Sequence, residues 1–448
     1  MAAVARTAWH DLTQESPRVS VVNMGCRLNR VEIDSIAREL LDAGCELSDE
    51  ASADVVVVNT CAVTGEAEAK TRKAVRHAAS LPHAPLVVAT GCVASLFADE
   101  LTSLMPNVEV EADKSRVASH VLDKLGWVAK SGRSSKQTTP TPTGRMRCGI
   151  KIQDGCDNRC TYCIVWKARG AACSVDPTRI IETIRKATGF GSREIVLSGI
   201  NLGSYSWETE RGHTMRLPDL IKEILDTTDV GRLRLSSIEP PDITSELISV
   251  MASSSDRVAP FLHACLQSGC DKTLSRMGRV YTSEDYRRVV ARAREAIDGL
   301  ALGCDVIVGF PGETQADFEE SLAFCREMRF ARMHVFRYSR RPGTPAAAMD
   351  NQISAEDQAQ RSERMRALAK TMRLAAARSR IGHEELALVQ AKGKGVTGGL
   401  FTIALDQTLP VDTLVRVKVH DVFSSAVLDG RVSCAGSVVS VGGQDVLH

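Results

Sequence analysis

Three apolar runs near the start of the chain constrain its fold, because each ends in a cysteine and leads into a helical pattern. The runs are VSVVNMGC, DVVVVNTC and PLVVATGC, which end at Cys26, Cys61 and Cys92. Continuous apolar strands that alternate with helices are typical of a parallel sheet with both faces covered. The carboxyl ends of such strands lie along one edge of the sheet, where ligands bind. We therefore expect an N-terminal parallel α/β sheet domain over residues 17–128, with the three cysteines close together.

A second group of three cysteines lies in the short stretch QDGCDNRCTYC, at Cys156, Cys160 and Cys163. A structural zinc normally has four protein ligands, and no second CxxC or HxxxH half follows this stretch. Three thiolates instead fill three positions of a [4Fe–4S] cluster and leave one iron open to a small molecule. The spacing, directly after a strand, indicates the cluster loop of a radical S-adenosylmethionine (SAM) enzyme. The dispersed N-terminal trio fits a second cluster of this kind, with separately buried structural cysteines as the alternative.

The rest of the chain reads as two further domains. Six strand–helix units predict an incomplete (βα)6 version of the TIM barrel over residues 146–378, with strands CGIKIQ, EIVLSG, RLRLSS, FLHACLQ, CDVIVGF and ARMHVFRYS. The cysteine loop then lies at the carboxyl-terminal mouth of this barrel, where barrel active sites are found. Residues 379–441 predict a small β-barrel, with strands ELALVQAKG, LFTIALD, LVRVKVHDV and SAVLDGRV. The segment 129–145, rich in Ser, Thr, Pro and Gly, predicts a linker.

Composition and charge indicate the class of protein, its compartment and the kind of partner that it binds. The chain has 448 residues, of which 44% are hydrophobic and 25% are charged, as in an ordinary globular protein. It shows neither a signal peptide nor an apolar run of about 18 residues, so we expect no membrane association and a cytoplasmic location. In that compartment its 14 cysteines favour metal ligands and buried thiols over disulfides. Residues 361–380 carry seven basic side chains against one acidic one, which indicates a polyanionic partner or a solvated helix face. Arg373, Arg378 and Lys394 are the charges that we expect to contact such a partner.

Several segments resemble the methylthiotransferases, a family of radical SAM enzymes. They include NMGCRLNRVEID, NTCAVTGEAEAKTRKAVR, ATGC, GCDNRCTYCIV and DVIVGFPGET, and the resemblance runs from about Arg18 to about Val438. It implies that the barrel trio binds one [4Fe–4S] cluster together with SAM. It implies that the N-terminal trio binds an auxiliary [4Fe–4S] cluster that carries the sulfur to be inserted. It also implies that the C-terminal β-barrel is a TRAM domain, which binds RNA.

Within that family, the segments IQDGC, SGINLGSY and RLRLSSIEP are most similar to the branch that acts on N6-threonylcarbamoyladenosine at position 37 of tRNA. The implied activity is methylthiolation of C2 of that base. The implied partners are tRNA, a flavodoxin- or ferredoxin-like electron donor and a sulfur donor. Alternatives are the branches that act on isopentenyladenosine in tRNA or on an aspartate of a ribosomal protein. A non-catalytic iron–sulfur protein that binds RNA is a further alternative.

The resemblance also offers candidates for cofactor contacts. Gly309, Gly312 and Glu313 of GFPGET resemble the loop that contacts the SAM adenine, although a plain strand-to-helix turn explains the glycines equally well. Asn201 stands in GINLGSY, which takes the place of the usual Gly-Gly-Glu that holds the methionine amino group. Glu239 follows a predicted barrel strand and is another candidate.

Overall fold

The chain divides between two units, one formed by Met1–Arg145 with Ile164–Gly170 and the other by Met146–Cys163 with Ala171–His448. The structure, a computed structural model, describes residues 16–128, 147–210, 212–423, 433–441 and 444–445. The predicted linker 129–145 therefore lies outside the described residues. None of the helices in the described ranges combines the length and the apolar character needed to cross a bilayer.

The first unit is a five-stranded parallel sheet, which confirms the predicted α/β fold. Numbered along the chain, the strands lie in the order 2-1-3-4-5. All six residues of the central strand VVVVNT are buried, because strands flank it on both sides and helices cover both faces. The strands are β1 (Arg18–Asn23), β2 (Glu46–Leu47), β3 (Val55–Thr60), β4 (Leu86–Gly91) and β5 (Val108–Val110). The helices are α1 (Arg27–Asp42), α2 (Gly65–Ala79), α3 (Cys92–Leu96), α4 (Ala98–Thr102), α5 (Val117–Leu125) and α6 (Val165–Arg169).

The second unit contains the predicted incomplete barrel, and all six expected strands are present. They are parallel and lie in two sheets, with the first three strands in one and the last three in the other, each in sequence order. These six are β6 (Cys148–Lys151), β9 (Glu194–Ser198), β12 (Arg232–Leu235), β14 (Phe261–Ala264), β15 (Ala301–Val308) and β16 (Arg332–Arg337). The short β13 (Ser237–Ile238) continues the line of β12 and pairs with β14. Further short strands are β7 (Gln153–Asp154), β8 (Cys173–Ser174), β10 (Ser206–Glu208) and β11 (Thr214–Arg216).

Seven helices of this unit complete the strand–helix alternation in the described residues. Buried aliphatic side chains of these helices pack against the outward side chains of the strands and form the largest core of the molecule. The helices are α7 (Pro177–Gly189), α8 (Leu217–Thr227), α9 (Ser245–Ser253), α10 (Asp271–Arg276), α11 (Ser283–Ala296), α12 (Gln315–Met328) and α13 (Ala355–Arg378). Four single 3-10 turns occur at Leu202–Ser204, Pro240–Asp242, Ser255–Arg257 and Pro345–Ala348.

The C-terminal strands form the expected small β-barrel. Five of them close on themselves because Thr402–Leu405 pairs with Ser433–Val441 as well as with Lys394–Thr397. The strands Lys394–Thr397, Ser433–Val441 and Gln444–Asp445 were not among those expected from the sequence, and the predicted strand SAVLDGRV falls in 424–432, outside the described residues. The strands are β17 (Glu384–Ala391), β18 (Lys394–Thr397), β19 (Thr402–Leu405), β20 (Leu414–Phe423), β21 (Ser433–Val441) and β22 (Gln444–Asp445).

This β-barrel covers the floor of the (βα)6 barrel, by which we mean the amino-terminal ends of its strands. Phe261 and Ala301, which open β14 and β15, belong to the same buried apolar cluster as Phe401 and Val389 of the β-barrel. A fully buried ion network lies beside this cluster at the start of β9 and β12. The carboxylate of Glu194 accepts from the guanidinium groups of Arg232 and Arg234 at 2.5 and 3.1 Å.

The same two arginines also join the two barrels through the backbone. Arg232 donates to the carbonyl oxygens of Leu386 and Val396, at 2.5 and 3.2 Å. Arg234 donates to those of Gly398 and Thr397, at 2.7 and 3.2 Å. Every guanidinium nitrogen in the network thus donates to an acceptor, which is the condition under which buried charges are tolerated.

The structure corrects one expectation about the basic stretch 361–380. Arg373 does not face solvent: its guanidinium donates to the carbonyl oxygens of Ala331 and Leu400 at 3.0 and 2.7 Å and stacks on the ring of Phe401. Burial lowers its pKa to about 10. Arg373 therefore holds the two barrels together, whereas Arg378 and Lys394 are exposed as expected.

Candidate cluster and cofactor sites

The three N-terminal cysteines follow three neighbouring strands of the first unit, as expected. Cys61 and Cys92 come directly after β3 and β4, and Cys26 follows β1 and caps the amino terminus of α1. Burial, together with the nearby thiols of Cys26 and Cys92, raises the pKa of Cys61 to about 11. Burial also raises the pKa of Cys26, although the backbone N–H of Asn29 and the charge of Arg169 oppose the rise. The structure thus places the three thiols close enough for neighbouring thiols to affect the pKa of Cys26 and of Cys61, with Cys61 and Cys92 buried and Cys26 half-buried.

Close backbone packing holds this trio. A Cβ atom at Gly25, whose φ is +107°, would overlap the side chain of Cys61. The Thr60 hydroxyl accepts from the backbone N–H groups of Val93 and Ala94, just after Cys92, at 3.0 and 3.1 Å. Each cysteine loop is therefore fixed by contacts to another one, which is the rigidity that a cluster site requires.

Asn29 is a residue of this site that the sequence analysis missed. Its amide donates to the carbonyl oxygens of Met24 and Thr60 at 3.0 and 2.7 Å, so it links the loops that lead to Cys26 and Cys61. Its Oδ1 atom lies 3.4 Å from the Cys26 sulfur and accepts from it. The motif NMGCRLN contains this asparagine, but the pattern alone does not show where its side chain points.

The barrel cysteines lie on a single loop between β7 and α6, at the carboxyl-terminal mouth. Thr161 anchors this loop: its N–H and hydroxyl donate to the carbonyl oxygens of Met277 and Arg276, both at 2.9 Å, and its carbonyl accepts from Ala346. Burial raises the pKa of Cys156, and the nearby Cys160 thiol raises it further. The loop thus gathers its thiols by local turns rather than by separate strands.

Arg279 supplies a positive charge to this second site, and the sequence analysis missed it. Its side chain is 4% exposed and donates to the sulfur of Cys160 at 3.1 Å and to the hydroxyl of Tyr281 at 3.1 Å. It also forms an ion pair with Glu239, one of the predicted cofactor contacts. The structure therefore brings Glu239 to the cysteine loop through Arg279.

Asn201 lies close to the start of the cysteine loop. The buried carbonyl of Gln153 accepts from the backbone N–H groups of Ile200 and Asn201 at 2.9 and 3.0 Å, while its amide donates to Asp154 and Gly155. Gln153 thus ties the predicted cofactor loop to the residues before Cys156. The Oδ1 atom of Asn201 is buried and has no hydrogen-bond partner among the residues that the structure describes, so an acceptor is available there for a ligand that carries N–H groups.

The three residues of GFPGET lie at the end of β15. Gly309 and Gly312 have φ of +72° and +73°. The carboxylate of Glu313 accepts from the Gly309 N–H at 2.5 Å and from the guanidinium of Arg361 at 2.8 Å. These bonds give the glutamate a role in shaping the turn, and a contact of the three residues to a cofactor stays a prediction.

A group of polar side chains lies beside the second site, on β14 and β15. The donor atoms of His263, Cys265 and Asp305 are within 4.8 Å of one another, and His263 Nε2 is 3.3 Å from a carboxylate oxygen of Asp305. Burial raises the pKa of Cys265 far above its usual range, and the neighbouring Asp305 and Cys160 raise it further. This group gives the barrel a polar lining near the cysteine loop.

Two family models match separate parts of the chain. The model of the radical SAM superfamily matches residues 150–325, which include the barrel cysteines. The model described as uncharacterized protein family UPF0004 matches residues 18–112, which include the N-terminal cysteines. Among solved structures, the chain is similar to the radical SAM methyltransferase TsrM from Kitasatospora setae, with a TM-score of 0.52, 16% identity and coverage of 74% of this chain and 77% of that one. At that identity the similarity concerns the fold.

Curated relatives are similar over most of the chain. The threonylcarbamoyladenosine tRNA methylthiotransferase MtaB of Bacillus subtilis is 36% identical, with coverage of 78% of this chain and 80% of the relative. A tRNA-2-methylthio-N(6)-dimethylallyladenosine synthase from Erythrobacter litoralis is 32% identical, with coverage of 89% and 93%. The ribosomal protein uS12 methylthiotransferase RimO of Desulforudis audaxviator is 33% identical, with coverage of 84% and 86%. The chain therefore belongs to the radical SAM methylthiotransferases, a membership that implies binding of SAM and of a [4Fe–4S] cluster.

Proposed function

We propose that this chain transfers a methylthio group to C2 of N6-threonylcarbamoyladenosine at position 37 of tRNA. The observation that carries the proposal is the 36% identity to a relative whose name states that activity, together with 34% identity to a second one from Thermotoga maritima. The sequence segments IQDGC, SGINLGSY and RLRLSSIEP support the same branch. Two relatives named for dimethylallyladenosine are 32% and 34% identical and one named for protein uS12 is 33% identical, so these define the competing substrates.

In this proposal each cysteine trio holds one [4Fe–4S] cluster. Cys156, Cys160 and Cys163 hold the cluster that shares its open iron with SAM, and Cys26, Cys61 and Cys92 hold the auxiliary one. When bound, these groups supply the radical and the sulfur that replacement of an aromatic C–H bond requires. A cubane places each thiolate on a different iron, so three thiols around one space suit it better than they suit a single metal ion.

The remaining residues bind, orient and balance charge. We assign Asn201 to the methionine amino group of SAM, since its buried Oδ1 has no partner in the described residues. Glu239 acts with Arg279, whose guanidinium offsets the charge of the thiolate of Cys160. Gly309, Gly312 and Glu313 form the turn against which the adenine of SAM lies.

The other partners follow from the same chemistry. The tRNA binds through phosphates to exposed charges that include Arg378, Lys394 and Lys418. Arg373 is not among them, because its guanidinium is occupied between the two barrels. A flavodoxin- or ferredoxin-like electron donor reduces the enzyme, and a sulfur donor restores it after each transfer.

Nucleoside analysis of tRNA tests the substrate. In a host from which the gene is deleted, we expect mass spectrometry to show loss of 2-methylthio-N6-threonylcarbamoyladenosine and a rise of the unmethylthiolated nucleoside. The intact gene restores the product, and the Cys160→Ala variant does not. Loss of the methylthio form of dimethylallyladenosine, or of methylthiolation of uS12, would assign the chain to another branch and contradict the proposal.

A further inference from the structure

Arg169 is a buried charge of the first unit that none of the assigned roles uses. It lies on α6, six residues after Cys163, yet this short helix belongs to the unit that contains the N-terminal cysteines. Its side chain is 3% exposed. A guanidinium is buried to this extent only where anions or acceptors satisfy it.

The acceptors of Arg169 belong to the first turns of α1, the helix that Cys26 caps. Its two terminal nitrogens bind the carboxylate of Glu32 in a bidentate manner, at 2.8 and 3.1 Å. One of them also donates to Oδ1 of Asn29 at 2.7 Å. The planar fork of the guanidinium fits this arrangement, whereas a lysine ammonium does not.

Asn29 connects Arg169 to the loops that carry the cysteines. Arg169 donates to the oxygen of the Asn29 side-chain amide. The nitrogen of the same amide donates to the carbonyls of Met24 and Thr60, which lie shortly before Cys26 and Cys61. The orientation of one side chain thus sets the position of two cysteine loops. Without its guanidinium partner, that amide could rotate away from the two carbonyls.

The positive charge of Arg169 also lies close to the trio, since its guanidinium and the Cys26 sulfur both donate to the oxygen of Asn29. Glu32 is 3% exposed and is shared by Arg169 and by Lys114, whose Nζ lies 2.7 Å from the carboxylate. A cluster bound by three thiolates is anionic, and nearby positive charge raises its reduction potential.

We propose that Arg169 is the positioning residue of the N-terminal cluster site: it fixes Asn29 so that Cys26 and Cys61 face the cluster, and it offsets the cluster's charge. The inference rests on the cluster assigned to this trio under the proposed function. Because Arg169 follows Cys163 so closely in sequence, one stretch of chain supplies a ligand of one cluster and the ion pair beside the other.

The test uses the full-length chain with Cys156, Cys160 and Cys163 all changed to Ala, so that only the N-terminal site binds iron. Into this parent we would introduce R169Q, R169K and, as a matched control, K167Q, which removes an exposed charge from the same helix. After anaerobic reconstitution, three quantities are measured: iron per chain, the rate of iron loss to a chelator, and the midpoint potential by EPR-monitored titration. Thermal melting reports folding.

We expect R169Q to lose iron about 10-fold faster than the parent, in the range typical of residues that hold metal ligands in place, and to have a more negative potential. R169K keeps the charge without the fork, so its potential should stay near that of the parent while its iron loss accelerates. K167Q should match the parent in both the rate of iron loss and the midpoint potential. A general loss of fold would not accelerate iron loss in R169K while leaving its midpoint potential unchanged. If R169Q proves unstable in thermal melting, R169K still tests the inference.

Two results would overturn the inference in different ways. If R169Q and R169K retain iron and potential like the loaded parent, Arg169 has no positioning role, and the cluster assignment stands. If the parent itself binds no iron, the auxiliary cluster of the proposed function fails, and the role of Arg169 fails with it.

Discussion

The two cysteine sites are built in opposite ways. The N-terminal trio comes from the ends of three strands, and its members are about 31 to 35 residues apart in sequence. The barrel trio comes from one loop of eight residues, held by Thr161 and Arg279. A sheet edge brings distant residues together as a result of folding, whereas a loop keeps near neighbours together by covalent connection. The comparison shows that the first site depends on the packing of a whole domain and the second on a few anchors.

The largest effect is expected from separating the two sites by single substitutions. Cys61→Ala should abolish methylthiolated product while 5′-deoxyadenosine is still formed, because the barrel site keeps its own ligands. Cys160→Ala should abolish both products. Liquid chromatography of reaction mixtures with tRNA and a reductant measures them. Cys45→Ala, a buried cysteine elsewhere in the first unit, is the control and should keep both. Methylthiolated tRNA at wild-type yield from Cys61→Ala would show that the N-terminal cysteines are structural.

The next effect concerns the close packing of the sheet-edge site. Gly25→Ala adds a methyl group that overlaps Cys61 at a φ of +107°, so the iron content after reconstitution should fall from about eight to about four per chain. Gly126→Ala is the matched control, since that glycine also has a positive φ, of +61°, but faces open space. The control should cost about 1 kcal/mol in stability and keep its iron. Equal iron in both variants would contradict the tight-packing account.

The expected strands and the meeting of the N-terminal cysteines were predictable because both follow from local patterns. Apolar runs mark strands, and the topology of parallel sheets gathers their ends. The positions of Arg169, Gln153 and Arg279 were not predictable. Arg169 meets Glu32 from 137 residues away, and no periodicity encodes that contact. The direction of Arg373 was missed for a similar reason: counting charges in a helix does not show which of them point into an interface.

The loop-borne site follows β6, and β6 pairs with β9, which carries Glu194 of the ion network at the floor. Burial alone would raise the pKa of Glu194, but Arg232 and Arg234 lower it to about 2. A carboxyl with a depressed pKa stabilises the fold above its unfolded pKa, and this contribution is lost as the pH falls from about 4.5 toward about 2.

Glu194→Gln should therefore destabilise the second unit by about 3–5 kcal/mol at neutral pH, since it leaves two buried arginines without their anion. The deficit relative to the wild type should shrink as the pH falls below 4, where the wild type loses the same ion pairs. Denaturant unfolding at several pH values measures this. Glu182→Gln, on the exposed face of α7, should change stability by less than about 0.5 kcal/mol. A deficit that does not vary with pH would argue against an ionised Glu194.

The smallest effect tests a single anchor of the loop. Thr161→Val keeps the shape of the side chain and removes its hydrogen bond to the Arg276 carbonyl, a loss of about 1 kcal/mol. In a chain with Cys26, Cys61 and Cys92 changed to Ala, iron should leave the barrel site roughly fivefold faster than without Thr161→Val. Thr161→Ser keeps the hydroxyl and should behave like the unsubstituted parent. Identical release from all three would mean that the loop needs no such anchor.

The β-barrel at the floor gives the second unit a fixed spacing between its RNA-binding surface, as proposed, and its cysteine loop. The β-barrel lies at the amino-terminal ends of the barrel strands and the cysteine loop lies at their carboxyl-terminal ends, so the strands separate the two; β15, with eight residues, spans roughly 26 Å. The buried arginines leave little freedom for that spacing to change. If the β-barrel binds RNA as proposed, the nucleotides that it binds lie at the opposite end of the barrel strands from the base that enters the mouth. The length of the RNA then affects how well it binds. An RNA too short to reach both the mouth and the β-barrel loses its contacts with the β-barrel, even if it carries the right base.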